Sequence, residues 1–230
     1  MDRRTWLAER RAAVVAEYDE MATTYDEHEY PNEGQQLFVA RLLEKCPPGG
    51  VVLDAGCGTG RYFAMVTATG RLVVGTDQST GMLERAEARG LAVSTRRVAL
   101  QDLAYRDAFD AVMTIDAMEN VAPEDWPQVL ANLRRAVRPG GHLYLSVEDR
   151  SDARIDAAHA ALVAAGQPAV RGEVVDGDVA GYHYYPGREA VLQWIALEGL
   201  EVVGETYTQE GESWGYRHLM LRAPEHEAAR

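Results

Sequence analysis

Three glycines at alternate positions, Gly56, Gly58 and Gly60, follow the short apolar run 51–55, with Asp54 just ahead of them. Small residues at that point let backbone approach a bound ligand and let a strand turn directly into a helix whose first amides remain available. Asp77 closes the next apolar run, where a carboxylate in a doubly wound sheet accepts both hydroxyls of an adenosine ribose. An acid in that position also serves as a cap for the helix that follows. A dinucleotide fingerprint requires Gly or Ala three residues after its second glycine, but here Arg61 stands there and the third glycine comes one residue early. The loop therefore suits a nucleoside-bearing cofactor better than a nicotinamide dinucleotide.

Other side chains capable of chemistry fall in three groups. Asp116 and Glu119 follow the run 109–115, and Glu148 with Asp149 ends the run that starts at His142. Tyr182, His183, Tyr184 and Tyr185, bracketed by Gly181 and Pro186, combine apolar area with directed hydrogen bonds. Each also has a plain structural reading. A loop carboxylate can bond to nearby amides, and a Tyr or His can be satisfied in the core.

The elements that must position these groups alternate along the chain. Apolar spacing through Val14, Val15, Tyr18, Met21 and Ala22 predicts an N-terminal helix, and a second helix follows Pro31 and ends at "CPPGG". Strands are expected at 51–55, 71–77, 91–100, 109–115 and 142–148, with helices between them, Gly90 capping one and "PGG" at 139–141 ending another. The stretch 149–185 interrupts the rhythm with an alanine-rich helix over 154–165 and an irregular hairpin around Asp176-Gly177-Asp178. A helix and two strands then close the sheet.

Buried strands joined by crossover helices imply an α/β, Rossmann-like three-layer sandwich with its cleft at the carboxyl ends of the strands. The organisation expected is a helical cap over 1–46, one domain over 47–223 with a substrate-side insertion at 149–185, and a flexible tail at 224–230.

Composition narrows the partners. The 230 residues are 47% hydrophobic and 26% charged, with a formal net charge of −13, so a phosphate backbone is repelled and nucleic acid is disfavoured. The Arg-rich start (Arg3, Arg4, Arg10, Arg11) is interrupted by Glu9 and Glu17 and reads as a solvated helix face. No apolar run approaches the roughly 20 residues of a membrane span. Two cysteines, Cys46 and Cys57, make neither a disulfide framework nor a zinc site, and a cytoplasmic setting with free thiols is expected.

The chain resembles the class I methyltransferases that use S-adenosylmethionine. "VLDAGCGTG" matches their first motif, Asp77 in "VVGTDQSTGML" the second-strand acid, "ALQDLAY" the third-strand end beside adenine, and "FDAVMTIDAMENVAPEDW" and "LRRAVRPGGHLYLSVED" the two later motifs. The agreement runs in order over about 15–150. It implies a seven-stranded, mostly parallel sheet with an antiparallel last strand and methyl transfer from S-adenosylmethionine, leaving S-adenosylhomocysteine, without a metal.

Cofactor contacts are implied for Tyr18, Tyr25, Asp54, Gly56, Gly58, Gly60, Asp77, Gln78, Met82, Gln101, Asp102, Leu103 and Asp116, with Asp102 taking the adenine amino group and Leu103 walling the ring. Where many relatives have a His-rich strand-four loop, this chain has Met118-Glu119-Asn120-Val121. Glu119 is therefore the candidate to orient an acceptor or take its proton, with His183 a second catalytic candidate. The expected acceptor is a small molecule methylated on N or O, with a weak preference for an amine, handled by a monomer or homodimer. A peptide or protein N-methyltransferase, or a cofactor-binding protein without transfer, are the alternatives.

Overall fold

The computed structural model describes residues 1–28, 32–91, 93–175 and 181–225. Pro31, the expected Asp176–Asp178 turn and 226–230 of the expected tail lie outside them.

Helix α1 (Arg3–Met21) starts at Asp2, whose carboxylate accepts from the Thr5 amide. A turn separates it from the short α2 (Tyr25–His28), so the first predicted helix is broken at 22–24. Asn32 and Gln35 form a reciprocal capping box that fixes the start of α3 (Glu33–Lys45). Alternation then begins: β1 (Val51–Ala55), α4 (Phe63–Thr67), β2 (Leu72–Asp77), α5 (Thr80–Ala88), β3 (Ser94–Arg97), β4 (Phe109–Thr114), α6 (Trp126–Ala136) and β5 (Val137–Arg150). Strand β3 is shorter than expected because it is an edge strand that ends where the chain turns into the 3-10 segment Leu100–Asp102. The "PGG" expected to stop α6 lies instead within β5, opposite a bulge between Phe109 and Ala111 of β4.

Helix α7 (Asp152–Ala164) and a two-stranded antiparallel pair, β6 (Glu173–Val174) and β7 (His183–Tyr184), make up the insertion. It begins two residues later than expected, because β5 runs through Arg150. Helix α8 (Arg188–Leu197), β8 (Glu201–Gly211) and β9 (Trp214–Arg222) complete the chain.

The seven strands are ordered β3-β2-β1-β4-β5-β9-β8. The first five in that order run parallel, and β9 is antiparallel to both β5 and β8. Side chains alternate between two cores, as the two-residue period of a strand requires. Val52, Ala111, Met113, Tyr144 and Met220 face α3, α4 and α5. Leu53, Val112, Leu143, Leu145, Leu219 and Leu221 face α6 and α8. Helix α3, placed with the N-terminal cap by the sequence, is thus part of the sheet's own helical layer through Phe38, Val39 and Leu42.

Helix α1 is held differently. It buries only Trp6, Leu7 and Val14 and relies on polar ties for the rest. Among the described residues no helix is long and apolar enough to cross a membrane.

Candidate functional site

The chain crosses from one side of β1 to the other between β3 and β4, which opens a crevice at the carboxyl ends of these strands. A cleft of about 870 Å³, solvent at its mouth included, occupies that position. Its floor is the glycine loop. The amides of Gly56 and Cys57 both donate to the Thr76 carbonyl, at 2.8 and 2.9 Å, which ties the start of the loop to the end of β2. Gly56, Gly58 and Gly60 have φ of +75°, +52° and +73°. A Cβ on Gly56 would come within 2.6 Å of the Ala117 methyl, and one on Gly60 within 2.7 Å of the Phe63 ring. Glycine is required at both places by conformation and by space.

Asp77 stands at the end of β2 on the cleft wall. Its two carboxylate oxygens accept from the Gly58 and Ser79 amides, each at 2.9 Å, which aims the carboxylate and leaves each oxygen a further lone pair. The alternative reading of Asp77 as a helix cap does not hold: Ser79 caps α5 by accepting from the Met82 amide at 3.0 Å. Asp54, at the end of β1, is 1% exposed, lines the cleft, and has an Oδ2 with no hydrogen-bond partner among the described residues. Burial first and the nearby Asp77 charge second push its carboxyl up to about 7, against the pull of Arg61. An orphaned buried acceptor and an aimed second-strand carboxylate fit a ligand that presents an ammonium group and a ribose diol.

Asp116 forms the opposite lip. Its φ of 51° is rare for any residue with a side chain, and Asp tolerates it better than most. The Gln35 amide donates to both of its oxygens at 2.8 Å, Arg61 lies 3.5 Å away, and Tyr216 shares a side-chain hydrogen bond with it. The Tyr62 hydroxyl donates to Gln35 at 2.6 Å, fixing the amide's orientation. Burial raises the Asp116 carboxyl, and Arg61 and Gln35 oppose the rise.

Tyr18 and Tyr25 meet edge to face at 6.1 Å on the cleft wall, and the Tyr18 hydroxyl accepts from Asn120 at 3.2 Å. Gln78, Met82 and Gln101 also line the cleft. Asp102 and Leu103 do not. The 3-10 turn rolls Asp102 out to solvent and Leu103 into the core, because Asn132 holds the Leu100 and Gln101 carbonyls at 3.0 and 2.7 Å. Gln101 is the residue of that trio left facing the cavity.

The two catalytic candidates lie off the cleft lining. Glu119, in the 3-10 turn Met118–Asn120, is 7% exposed and its Oε2 has no hydrogen-bond partner among the described residues. Burial, then Asp116 and Glu148, hold its carboxyl well above the ordinary range. Glu148 pairs with Arg150, yet burial pushes it up to about 7. His183 pairs with Val174 across β6 and β7, and its ring stacks on Tyr185 at 5.8 Å. The β7 strand packs on the Glu119 turn, so the insertion and the strand-four loop share one wall. Asp149 pairs with Arg217 at 2.9 Å.

Sequence reasoning missed Gln35, Arg61 and Tyr216 as residues of the site. Arg61 carried a signal: the residue that breaks the dinucleotide pattern is the one that stacks over Tyr25 at 5.2 Å and reaches Asp116. The Arg-rich start is not a solvated face throughout. Arg11 lines the cleft and pairs with Asp125, and Arg3 is bound to Glu124 and Glu173, because acids contributed by later elements meet that side of the helix.

A methyltransferase-domain family model matches residues 52–141. A malonyl-[acyl-carrier protein] O-methyltransferase of Erwinia pyrifoliae is 34% identical over 139 residues, which is 59% of this chain and 51% of that protein. A demethylmenaquinone methyltransferase of Tropheryma whipplei is 29% identical over 187 residues, 77% of this chain and 76% of that one. In fold, the chain is similar to the 1,6-didemethyltoxoflavin-N1-methyltransferase of Burkholderia thailandensis, solved with S-adenosylhomocysteine bound, with a TM-score of 0.69, 17% identity and coverage of 97% and 91% of the two chains. The sheet order is that of the methyltransferase fold, and the glycine loop and second-strand acid fall inside the matched residues. Residues 52–141 thus match a methyltransferase-domain family, and the chain is similar in fold to methyltransferases solved with S-adenosylhomocysteine bound. It spans about half the length of the malonyl-[acyl-carrier protein] methyltransferases it matches.

Proposed function

We propose that this protein binds S-adenosylmethionine in the cleft and transfers its methyl group to an N or O atom of a small-molecule acceptor. The observation that carries the reading is the pairing of an aimed Asp77 with an orphaned Asp54 Oδ2 on either side of the glycine loop. Asp77 is placed to accept from the ribose hydroxyls, and Asp54 to meet the ammonium of the methionine part. Val98 to Gln101 would flank the adenine, with Tyr18 and Tyr25 covering the methionine end. The cofactor, when bound, supplies a methyl group already activated by its sulfonium, so the protein's part is to bind, orient and exclude water.

The acceptor side is formed by Asp116, Glu119 and the insertion around His183 to Tyr185. An amine is favoured over an acidic acceptor. Asp116, Glu119 and Glu148 lie within electrostatic reach of one another, and Oε2 of Glu119 is buried without a hydrogen-bond partner among the described residues. A protonated amine has to lose a proton before its lone pair can attack, and the carboxyl beside the acceptor side is a group that can orient the amine and take that proton when ionised. Glu119 orients the acceptor and takes the proton, with His183 the second candidate for that role.

Calorimetry with S-adenosylhomocysteine, followed by labelled-methyl transfer to a panel of amines, phenols and carboxylic acids, tests the proposal. Absence of binding would overturn it. E119Q is expected to lower transfer efficiency about 10-fold or more, at least about 1.4 kcal/mol of transition-state stabilisation, with cofactor affinity nearly unchanged.

A further inference from the structure

Glu173 is 0% exposed, yet it is a charged residue in a two-residue strand of the insertion. Four donors meet it. The Arg3 guanidinium binds both oxygens, at 2.6 and 2.8 Å, the Tyr182 hydroxyl donates at 2.6 Å, and the Val170 amide donates at 2.7 Å. Arg3 is equally committed: it also donates to both oxygens of Glu124, at 2.7 and 3.0 Å, and to the Pro168 carbonyl at 2.9 Å. Below this pair Trp6 meets Tyr182 edge to face at 5.8 Å. The start of α1 is thus fastened to the insertion by a half-buried, bidentate ion pair of the strong, directional kind.

The far end of α1 is fastened to the cofactor side. Asp19 accepts from the Ser79 hydroxyl at 2.6 Å and from the Gly81 amide at 2.8 Å, at the start of α5. Just beyond the helix, Asp26 accepts from the Thr59 hydroxyl at 2.6 Å and from Arg89 at 2.7 Å, which ties the cap to the glycine loop. Between these anchors Arg11, Val14 and Tyr18 line the cleft. At 1.5 Å per residue, Arg3 and Asp19 stand about 24 Å apart on one rigid rod.

We propose that Glu173 is a positioning residue: through Arg3 it makes α1 and the insertion one body, so that the wall over the cofactor cleft and the wall over the acceptor side move together. Neither Glu173 nor Arg3 lines the cleft, so any effect on ligand binding travels through α1. The proposal deepens the methyltransferase reading and rests on it only for the identity of the ligand in the cleft.

Hydrogen exchange on the ligand-free protein tests the shared body without reference to that ligand. In R3M and in E173Q, amides of 3–21 and of 168–175 are expected to lose protection together, by about 10-fold, while those of β1 and β4 hold theirs. Loss confined to one of the two segments, or no loss, would overturn the proposal. E173Q keeps the shape of the side chain and guards against a failure of R3M to fold.

S-adenosylhomocysteine calorimetry supplies the second readout. Affinity is expected to fall about 5-fold in R3M, to recover in part in R3K, and to fall no further in the R3M/E173Q double variant than in either single one, as a shared interaction requires. L43A, which opens a core position on the opposite face of the sheet, separates this from general destabilisation and should leave affinity unchanged. Additive losses in the double variant, or an equal loss in L43A, would refute the coupling. Failure of the wild type to bind S-adenosylhomocysteine would refute the cofactor assignment instead, with the exchange comparison still deciding the clasp.

Discussion

Asp54 is proposed to meet an ammonium group, so its ionisation sets how binding should respond to pH. With its carboxyl up to about 7 in the folded protein and near 3.8 when unfolded, it is mostly neutral in mildly acidic solution and charged above that. An ammonium group gains from the charged form, so affinity for S-adenosylhomocysteine is expected to climb as pH rises through about 7 and then level off. Binding at pH 6 should release a proton, visible as a dependence of the calorimetric enthalpy on the buffer's ionisation heat. D54N should bind more weakly and lose the pH dependence. In the unliganded protein the sign for stability is opposite: the unfolded chain gives up this proton first, so the group's stability contribution is lost as pH rises from about 4 to about 7. For Asp77 the expectation is simpler. D77A removes two carboxylate acceptors from the cleft wall and, on the proposed ribose contact, should weaken S-adenosylhomocysteine binding by about 1.5–3 kcal/mol, measured on variant protein shown to be folded.

At the scale of elements, the glycine turn and the two strand-end acids were legible because their determinants are contiguous. A strand that must bend at once into a helix, past Ala117 and Phe63, leaves its requirement in the local sequence. G60A tests that requirement. The added methyl meets both a φ of +73° and the Phe63 ring, and a loss of about 1–3 kcal/mol of stability is expected in denaturant unfolding. The lip of the cleft formed by Asp116 was only partly legible. Asp116 is set by Gln35 from α3, Arg61 from the glycine loop and Tyr216 from β9, which converge from distant parts of the chain and leave no local pattern. Asp102 was assigned to adenine from its place in a motif, and the 3-10 turn that rotates it away depends on Asn132, from a helix 30 residues later.

For the molecule as a whole, the sheet and its two helical layers follow from alternation of apolar runs, while the attachment of α1 does not. A stripe of charged residues on a helix looks the same whether water or a distant acid faces it. That distance has a consequence for how the molecule forms. Arg3 and Glu173 are 170 positions apart in sequence. At about 5–20 residues per second of synthesis, α1 leaves the ribosome roughly 10–30 s before its partner exists. Its start waits for Glu173 and Tyr182, while Asp19 at its other end can meet Ser79 and Gly81 as soon as these are made. The two ends of the first helix made therefore dock separately, and the contacts of its start, which close a loop of 170 residues, should be absent from the rate-limiting step of folding. W6A is expected to speed unfolding by the full loss of stability while leaving the refolding rate within about twofold of wild type in stopped-flow measurements.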